Sequence, residues 1–252
     1  MASKLLGVQP IPIDPSWQIE LVNLFDPVHS RTERELLFAQ VSPVHSRFFE
    51  SYGFVLDQWR LLLEGSEFPD QVIKYVWVAF RDGQACGEFV IDINLNRETI
   101  LVHFVAMDKE VRRSLPELWL KELIELLVSF SVEEARVRGV ELRAVMAESY
   151  DEYIWKWDQL GHTALPIGYQ EPAFGAQWRE HGSEPDFHDI TATVRVLTDA
   201  TEEDYEWEQL RPIKAQRATN AVKAFLLDAY DLPPENRVVT QILERSLQSE
   251  IV

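Results

Sequence analysis

The stretch Phe104-Val105-Ala106-Met107-Asp108-Lys109-Glu110-Val111-Arg112 passes from an apolar, strand-forming run into a charged loop, and the patterns flanking it decide the fold. Before it, Thr99 to Met107 reads as a strand rich in β-branched and aromatic residues. After it, Pro116 to Arg138 reads as one long helix, with Leu120, Leu123, Ile124, Leu127 and Phe130 on an apolar stripe and Gly139 where a C-terminal cap is expected. A short strand, Val140 to Met146, follows directly.

Upstream, Trp17 to Phe25 reads as a first strand that ends at Asp26-Pro27. Ser30 and Glu33 have the spacing of a capping box and open a helix to about Val41, and a second helical pattern covers Phe54 to Leu63. Lys74 to Arg81 is a strand ending at the turn Asp82-Gly83. Ala85 to Ile93 is the next, and Asn94 to Arg97 turn the chain into Thr99 to Met107, which completes an antiparallel meander. The motif Pro27-Val28-His29-Ser30-Arg31 recurs as Pro43-Val44-His45-Ser46-Arg47, and two helix starts capped by serine account for it.

Downstream, the pattern gives a helix at Asp151 to Leu160, a strand at Thr163 to Tyr169, a loop from Gln170 to Phe187 as the least ordered part of the core, and a strand at His188 to Leu197. From Thr201 the composition turns to helix formers, with Glu202, Glu203 and Asp204 in a first turn and Pro233-Pro234 before the last helix. The expected organisation is therefore an α/β (α+β) domain over residues 1–197 with a helical extension over residues 198–252.

Composition bounds the function. At 252 residues, 46% hydrophobic and 11% aromatic, the chain can bury a sizeable core without staples. The single cysteine, Cys86, allows no internal disulfide and no cysteine-based zinc site, which points to a reducing compartment. The N-terminal residues carry no signal-peptide core, and the apolar run Leu118 to Val132 is broken by Lys121, Glu122 and Glu125, so a soluble cytoplasmic protein is expected. A formal charge of −18 repels nucleic-acid backbones and anionic membranes; it fits an acidic soluble protein kept monodisperse by its charge, and it would also suit a cationic partner such as an amine. No P-loop, dinucleotide glycine motif, Gly-x-Ser-x-Gly elbow or His-Glu-x-x-His helix occurs, and His181 and His188 have no spacing that implies a metal.

The order strand, two helices, three-stranded meander, long helix, strand, helix, strand, strand resembles that of the GCN5-related N-acetyltransferase (GNAT) family over about Trp17 to Leu197. The Phe104 to Arg112 stretch resembles the family's fourth strand running into its acyl-CoA loop. Ala135-Arg136-Val137-Arg138-Gly139-Val140-Glu141-Leu142 resembles the end of its central helix, and Gln159-Leu160-Gly161-His162 its Leu-Gly-Phe turn with His162 in the aromatic place. The resemblance implies a mixed, mostly antiparallel central sheet flanked by helices, whose fourth and fifth strands splay apart around acyl-CoA. It also implies transfer of an acetyl or related acyl group from acetyl-CoA or another acyl-CoA to a small-molecule or peptide amine, without a metal.

The same resemblance assigns the site residues. Val105, Met107, Arg112, Arg113, Ser114 and Leu115 fall on the cosubstrate-binding strand and loop, where free amides at a helix N-terminus hold a pyrophosphate. With Arg112 at the first motif position, Leu115 and Glu117 stand where glycines belong and Pro116 lacks an amide hydrogen, while Ser114 and Glu117 have capping-box spacing. Trp157 takes the place of the family's tyrosine acid, and Tyr153 lies one turn away from it. Glu88 and His103, on the third and fourth strands, are the candidate bases, and His29, His45, Tyr169 and Glu171 the candidate walls of the acceptor site. Two further readings stay open: a GNAT-like binding, regulatory or assembly module without catalysis, and acyl transfer from an acyl carrier protein. The helical extension suits a homodimer arm or a cover for a sheet edge.

Overall fold

The turn Asp82-Gly83 takes φ of 51° and 80°, the left-handed pair that lets a two-residue turn follow the twist of its strands. It closes a hairpin between β2 (Val72–Arg81) and β3 (Gln84–Asn94), and a second turn ending at Glu98, φ 54°, leads into β4 (Thr99–Met107). A computed structural model describes residues 14–66, 70–198 and 205–248 of the chain. The acids Glu202, Glu203 and Asp204 lie outside these.

Ahead of the hairpin come β1 (Glu20–Asn23), α1 (Arg31–Phe48) and α2 (Phe54–Leu63). Ser30 caps α1 through the expected capping box with Glu33. The helix does not end at Val41, however: it runs through Pro43, so the second Pro-Val-His-Ser-Arg motif lies inside it and Ser46 caps nothing. The meander is followed by α3 (Lys109–Arg113), a short helix the pattern did not show, and by α4 (Trp119–Val137). Gly139, at φ 75°, ends α4 as expected, with the Val140 amide reaching back to the Ala135 carbonyl at 3.0 Å.

The remaining elements are β5 (Ala144–Ser149), α5 (Ile154–Asp158), β6 (Thr163–Ala164), β7 (Gln170–Pro172), α6 (Trp178–His181), β8 (Phe187–Asp189) and β9 (Thr191–Val196). The extension holds α7 (Trp207–Lys223), continued as a π-helical segment to Ala229, and α8 (Arg237–Leu247). The Gln170 to Phe187 stretch is more ordered than expected, since β7 and β8 pair across it from Gln170↔Asp189 to Pro172↔Phe187.

One seven-stranded sheet has the order β1-β2-β3-β4-β5-β9-β6. β4 and β5 are parallel, and β1–β2, β5–β9 and β6–β9 are antiparallel. This mixed, mostly antiparallel sheet flanked by helices is the architecture the resemblance implies. The chain divides into two compact units, one formed by the described residues up to Asp92 with His103–Leu126, the other by Ile93–Val102 with the residues from Leu127 onward. In the first, Val22, Leu24, Leu37, Val41, Trp59, Val76, Val78, Phe80 and Val90 form the core. In the second, Met146, Ile167, Tyr169 and Val194 pack with Ala218, Val222, Phe225, Leu226 and Ile242 of the extension.

Within the first unit β3 and β4 lie close at one point. A β-carbon at Gly87 would stand 2.6 Å from the Ala106 carbonyl oxygen and 3.1 Å from Met107 Cα, so the obstacle is backbone. Gly87→Ala is therefore expected to cost about 1–3 kcal/mol through strain, read as a lower urea midpoint at unchanged slope.

Candidate functional site

Alternation along β3 puts Glu88 and Asp92 on one face of that strand, and the structure gives each a histidine. Asp92, its side chain 6% exposed, accepts from Lys74 Nζ on β2 at 2.6 and 2.7 Å and lies 3.0 Å from His103 Nε2 on β4. Burial works against the charge of Asp92, but Lys74 and then His103 outweigh it and hold the carboxyl at about 2. A carboxylate only accepts, so His103 carries a hydrogen on Nε2. The His103 side chain is 12% exposed.

Glu88 and His45 form a second pair, with neither side chain exposed and Glu88 Oε1 2.8 Å from His45 Nδ1. The Tyr52 carbonyl, 3.2 Å from Nε2, can only accept, so Nε2 carries hydrogen. One proton is then shared between Nδ1 and the carboxyl, and the pair is neutral overall whichever group holds it. Burial pushes the Glu88 carboxyl up, opposed by the bond to His45. Phe104 and Trp59 present ring edges to His45 at 5.0 and 5.1 Å, and Glu88 Oε2 has no hydrogen-bond partner. Two expected site residues thus meet, but in a sealed position. Burial likewise pushes the Cys86 thiol up to about 12, which removes it as a nucleophile.

The β4–β5 ladder joins Thr99–Val102 to Ala144–Ala147 and ends there, although β4 runs on to Met107 and β5 to Ser149. His103 is the first residue of β4 past the ladder. Val105 and Met107 follow on the same strand face, half-buried and buried.

The loop after β4 departs from expectation. Ser114 and Glu117 form no capping box; Ser114 instead closes α3, its hydroxyl donating to the Val111 carbonyl at 2.7 Å and accepting from Arg81. The Ser114 and Leu115 amides are engaged with the Val111 and Arg112 carbonyls at 3.0 and 3.2 Å. The reason is that the charged segment 109–113 coils into a helix of its own, so the residues after it are spent on its C-terminus rather than on the start of α4. Arg113 pairs with Glu110 at 2.9 Å at the surface. Arg112 is half-buried, and its Nε has no partner.

The other expected residues are placed as follows. His29 is buried with neither ring nitrogen hydrogen-bonded. Tyr153 is 45% exposed, and Lys156 Nζ sits 4.6 Å from its ring centre. Trp157 packs on His162 with ring centres 5.0 Å apart. Burial and then the Arg195 charge lower His162 to about 3, so it packs as a neutral ring in the aromatic place of its turn. In the second unit Tyr169 Oη donates to Glu148 Oε1 at 2.5 Å, and Glu171 lies 2.6 Å from His188 Nε2 and 3.3 Å from the Tyr230 hydroxyl.

Sequence reading missed Asp92 as the partner of His103 and Lys74 as the second partner of Asp92, and Glu148 and Tyr230 as partners of Tyr169 and Glu171. The available signal was a carboxylate and an ammonium set in otherwise apolar strand runs. Among the described residues, no helix is long and apolar enough to cross a membrane, and no group of three or more His, Cys, Asp and Glu residues could hold a metal ion.

No family model matches the chain, and no curated protein matches it. Among solved structures it is similar to GCN5 of Tetrahymena, at 12% identity over 71% of this chain and 96% of that one, with a TM-score of 0.44. A GNAT-family protein of Bacteroides thetaiotaomicron is 15% identical over 69% of this chain and 88% of that one, with a TM-score of 0.46. An acetyltransferase of Salmonella typhimurium, which modifies the N-terminal serine of ribosomal protein L7/L12, is 11% identical over 75% and 100%, with a TM-score of 0.45. Likeness at this level does not extend to individual residues.

Proposed function

We propose that this chain transfers an acyl group from acyl-CoA to an amine, with His103 as the base and Asp92 as the residue that fixes its tautomer. The observation that carries the reading is the Asp92–His103 pair inside the first unit, 3.0 Å apart, with the His103 side chain 12% exposed.

In this reading the amine nitrogen attacks the thioester carbonyl directly, the C–N bond forms, and the nitrogen's proton passes to His103 Nδ1. The carbon–sulfur bond then breaks, and the CoA thiolate takes up a proton to leave as the thiol. His103 is preferred to Glu88 because the Glu88 side chain has no exposed surface and is hydrogen-bonded to His45. Arg112, half-buried in the segment after β4, is the side chain we assign to a phosphate, whereas the Ser114 and Leu115 amides are engaged with carbonyls of α3. The acceptor is a small-molecule or peptide amine, drawn by the acidic surface, and acetyl-CoA is the first donor to test. A reducing cytoplasm suits a chain whose one cysteine is buried.

The engaged amides and Pro116 favour one second reading, a binding or regulatory module that has lost the pyrophosphate cradle. Calorimetry separates the two. Acetyl-CoA and CoA are expected to bind at low salt with a micromolar Kd, about 8 kcal/mol, and Arg112→Ala to weaken both about tenfold. No heat at millimolar ligand would overturn the acyltransferase reading.

A further inference from the structure

The segment that follows β5 turns three aromatic side chains outward. Tyr150, Tyr153 and Trp155 are 45%, 45% and 56% exposed, all within six residues of the second unit. A single exposed apolar residue needs no explanation, but tyrosine and tryptophan gathered on one surface are the residue types that protein interfaces enrich. The platform is held from beneath. Tyr153 closes the turn Asp151–Tyr153 and leads into α5, Thr191 of β9 donates to Asp151 at 2.6 Å, and Trp157 packs on His162. The exposed rings are therefore carried by an anchored backbone, which lowers the entropy lost when something binds to them.

The ring faces already hold a cation. Lys156 Nζ lies 4.6 Å from the Tyr153 ring centre and 5.7 Å from that of Trp155, so one ammonium is within reach of two rings. An ammonium is drawn to the negative face of an aromatic ring within about 6 Å. The two rings thus address a common place, and that place suits a cation. The surrounding charges agree with this. Asp151, Glu152 and Asp158 are exposed, and Lys156 is the one base between Tyr150 and Asp158, in a chain with a formal charge of −18. Acids of this kind draw a cationic partner in at long range, and the rings seat it at short range.

We infer that Tyr150, Tyr153 and Trp155, with Asp151 and Glu152, form a docking surface for a lysine-rich peptide segment of a protein partner, and that Lys156 fills the cation place until a partner lysine displaces it. The occupant follows from the chemistry of the surface. The rings offer apolar contact, while the cation place and its acids reject an acidic segment. A lysine side chain suits both, because its methylene stem lies along the rings while its ammonium meets their faces and the carboxylates. The inference is independent of the acyl-transfer reading, since docking needs no acyl donor and leaves the bound lysine unchanged.

Fluorescence anisotropy of the full chain with a dye-labelled peptide of alternating lysine and leucine, in the absence of acyl-CoA, tests this beside a peptide with glutamate in place of each lysine. The parent is expected to bind the lysine peptide and not the glutamate peptide. Tyr153→Ala with Trp155→Ala is expected to weaken binding about five- to thirtyfold, the worth of two exposed cation–π contacts, at an unchanged urea midpoint because both side chains are exposed. Lys156→Gln is expected to tighten binding about two- to fivefold by vacating the cation place, and to bring no such gain where both rings are already replaced by alanine. That cycle separates competition for the rings from a simple change of net charge, which would act in either background. Equal binding of the two peptides, no binding at millimolar lysine peptide, or a Lys156→Gln gain that is absent in the parent or persists without the rings would overturn the proposal. Sedimentation that shows the parent self-associating, and the ring-less variant not, would assign the surface to a second copy and overturn it as well.

Discussion

His45→Ala is expected to lower stability by about 3–5 kcal/mol, because it strands a buried partner as well as removing a ring. Glu88 has no exposed side-chain surface, and one of its oxygens already lacks a partner. Loss of His45 leaves the carboxyl to take up a proton or keep an uncompensated charge among Phe49, Trp59 and Phe104, and either outcome costs free energy. The missing ring also opens a void between aromatic edges that cannot close without moving α1 against β3. The double variant His45→Leu with Glu88→Leu is expected to recover most of the loss, since apolar side chains of similar volume satisfy the same space without a polar debt. Urea unfolding of the parent, both single variants and the double variant gives the coupling directly. Additive losses with no recovery would show that the two residues act separately.

The legible parts of the fold are those specified by a few neighbouring residues. The Ser30–Glu33 box, the Asp82-Gly83 turn, the Gly139 cap, the helix Phe54–Leu63 and the strand Thr99–Met107 are each read from local chemistry, and tertiary contacts left them in place. Local reading failed where two local rules competed. Ser114 and Glu117 have capping-box spacing, but Lys109–Arg113 coils first and takes Ser114 as its own end. Pro43 has the look of a break, yet α1 continues through it and buries Val44 and His45 against the sheet. The Gln170 to Phe187 segment reads as irregular because its order comes from a three-rung ladder that joins its two ends across a loop with no strand periodicity.

The candidate site divides in the same way. His103 and Glu88 stand out in sequence as titratable residues on strands, whereas their partners depend on strand register and on a helix laid across the sheet. Asp92 meets His103 only because β3 and β4 pair as they do. Tyr230 reaches Glu148 across 82 residues of sequence, which no periodicity encodes.

His103→Gln is expected to lower acyl transfer by a factor of about 10²–10⁴, the usual contribution of a positioned base, while the affinity for acetyl-CoA stays within about twofold. Glutamine fills similar space but offers no nitrogen that accepts a proton near neutral pH. Asp92→Asn is expected to lose about a hundredfold or more by a different route, because its amide can donate to Nε2 and hold the hydrogen on Nδ1, where the base must be free of it. That variant also removes the carboxylate that Lys74 contacts at 2.6 and 2.7 Å, so Asp92→Asn with Lys74→Met serves to restore charge balance without restoring the tautomer. Activity is read as free thiol released from acetyl-CoA over a panel of primary amines, with binding followed separately by calorimetry. If His103→Gln turns over within about threefold of the parent on the best amine, the base lies elsewhere. If the double variant regains the lost rate, the role of Asp92 is electrostatic and not tautomeric.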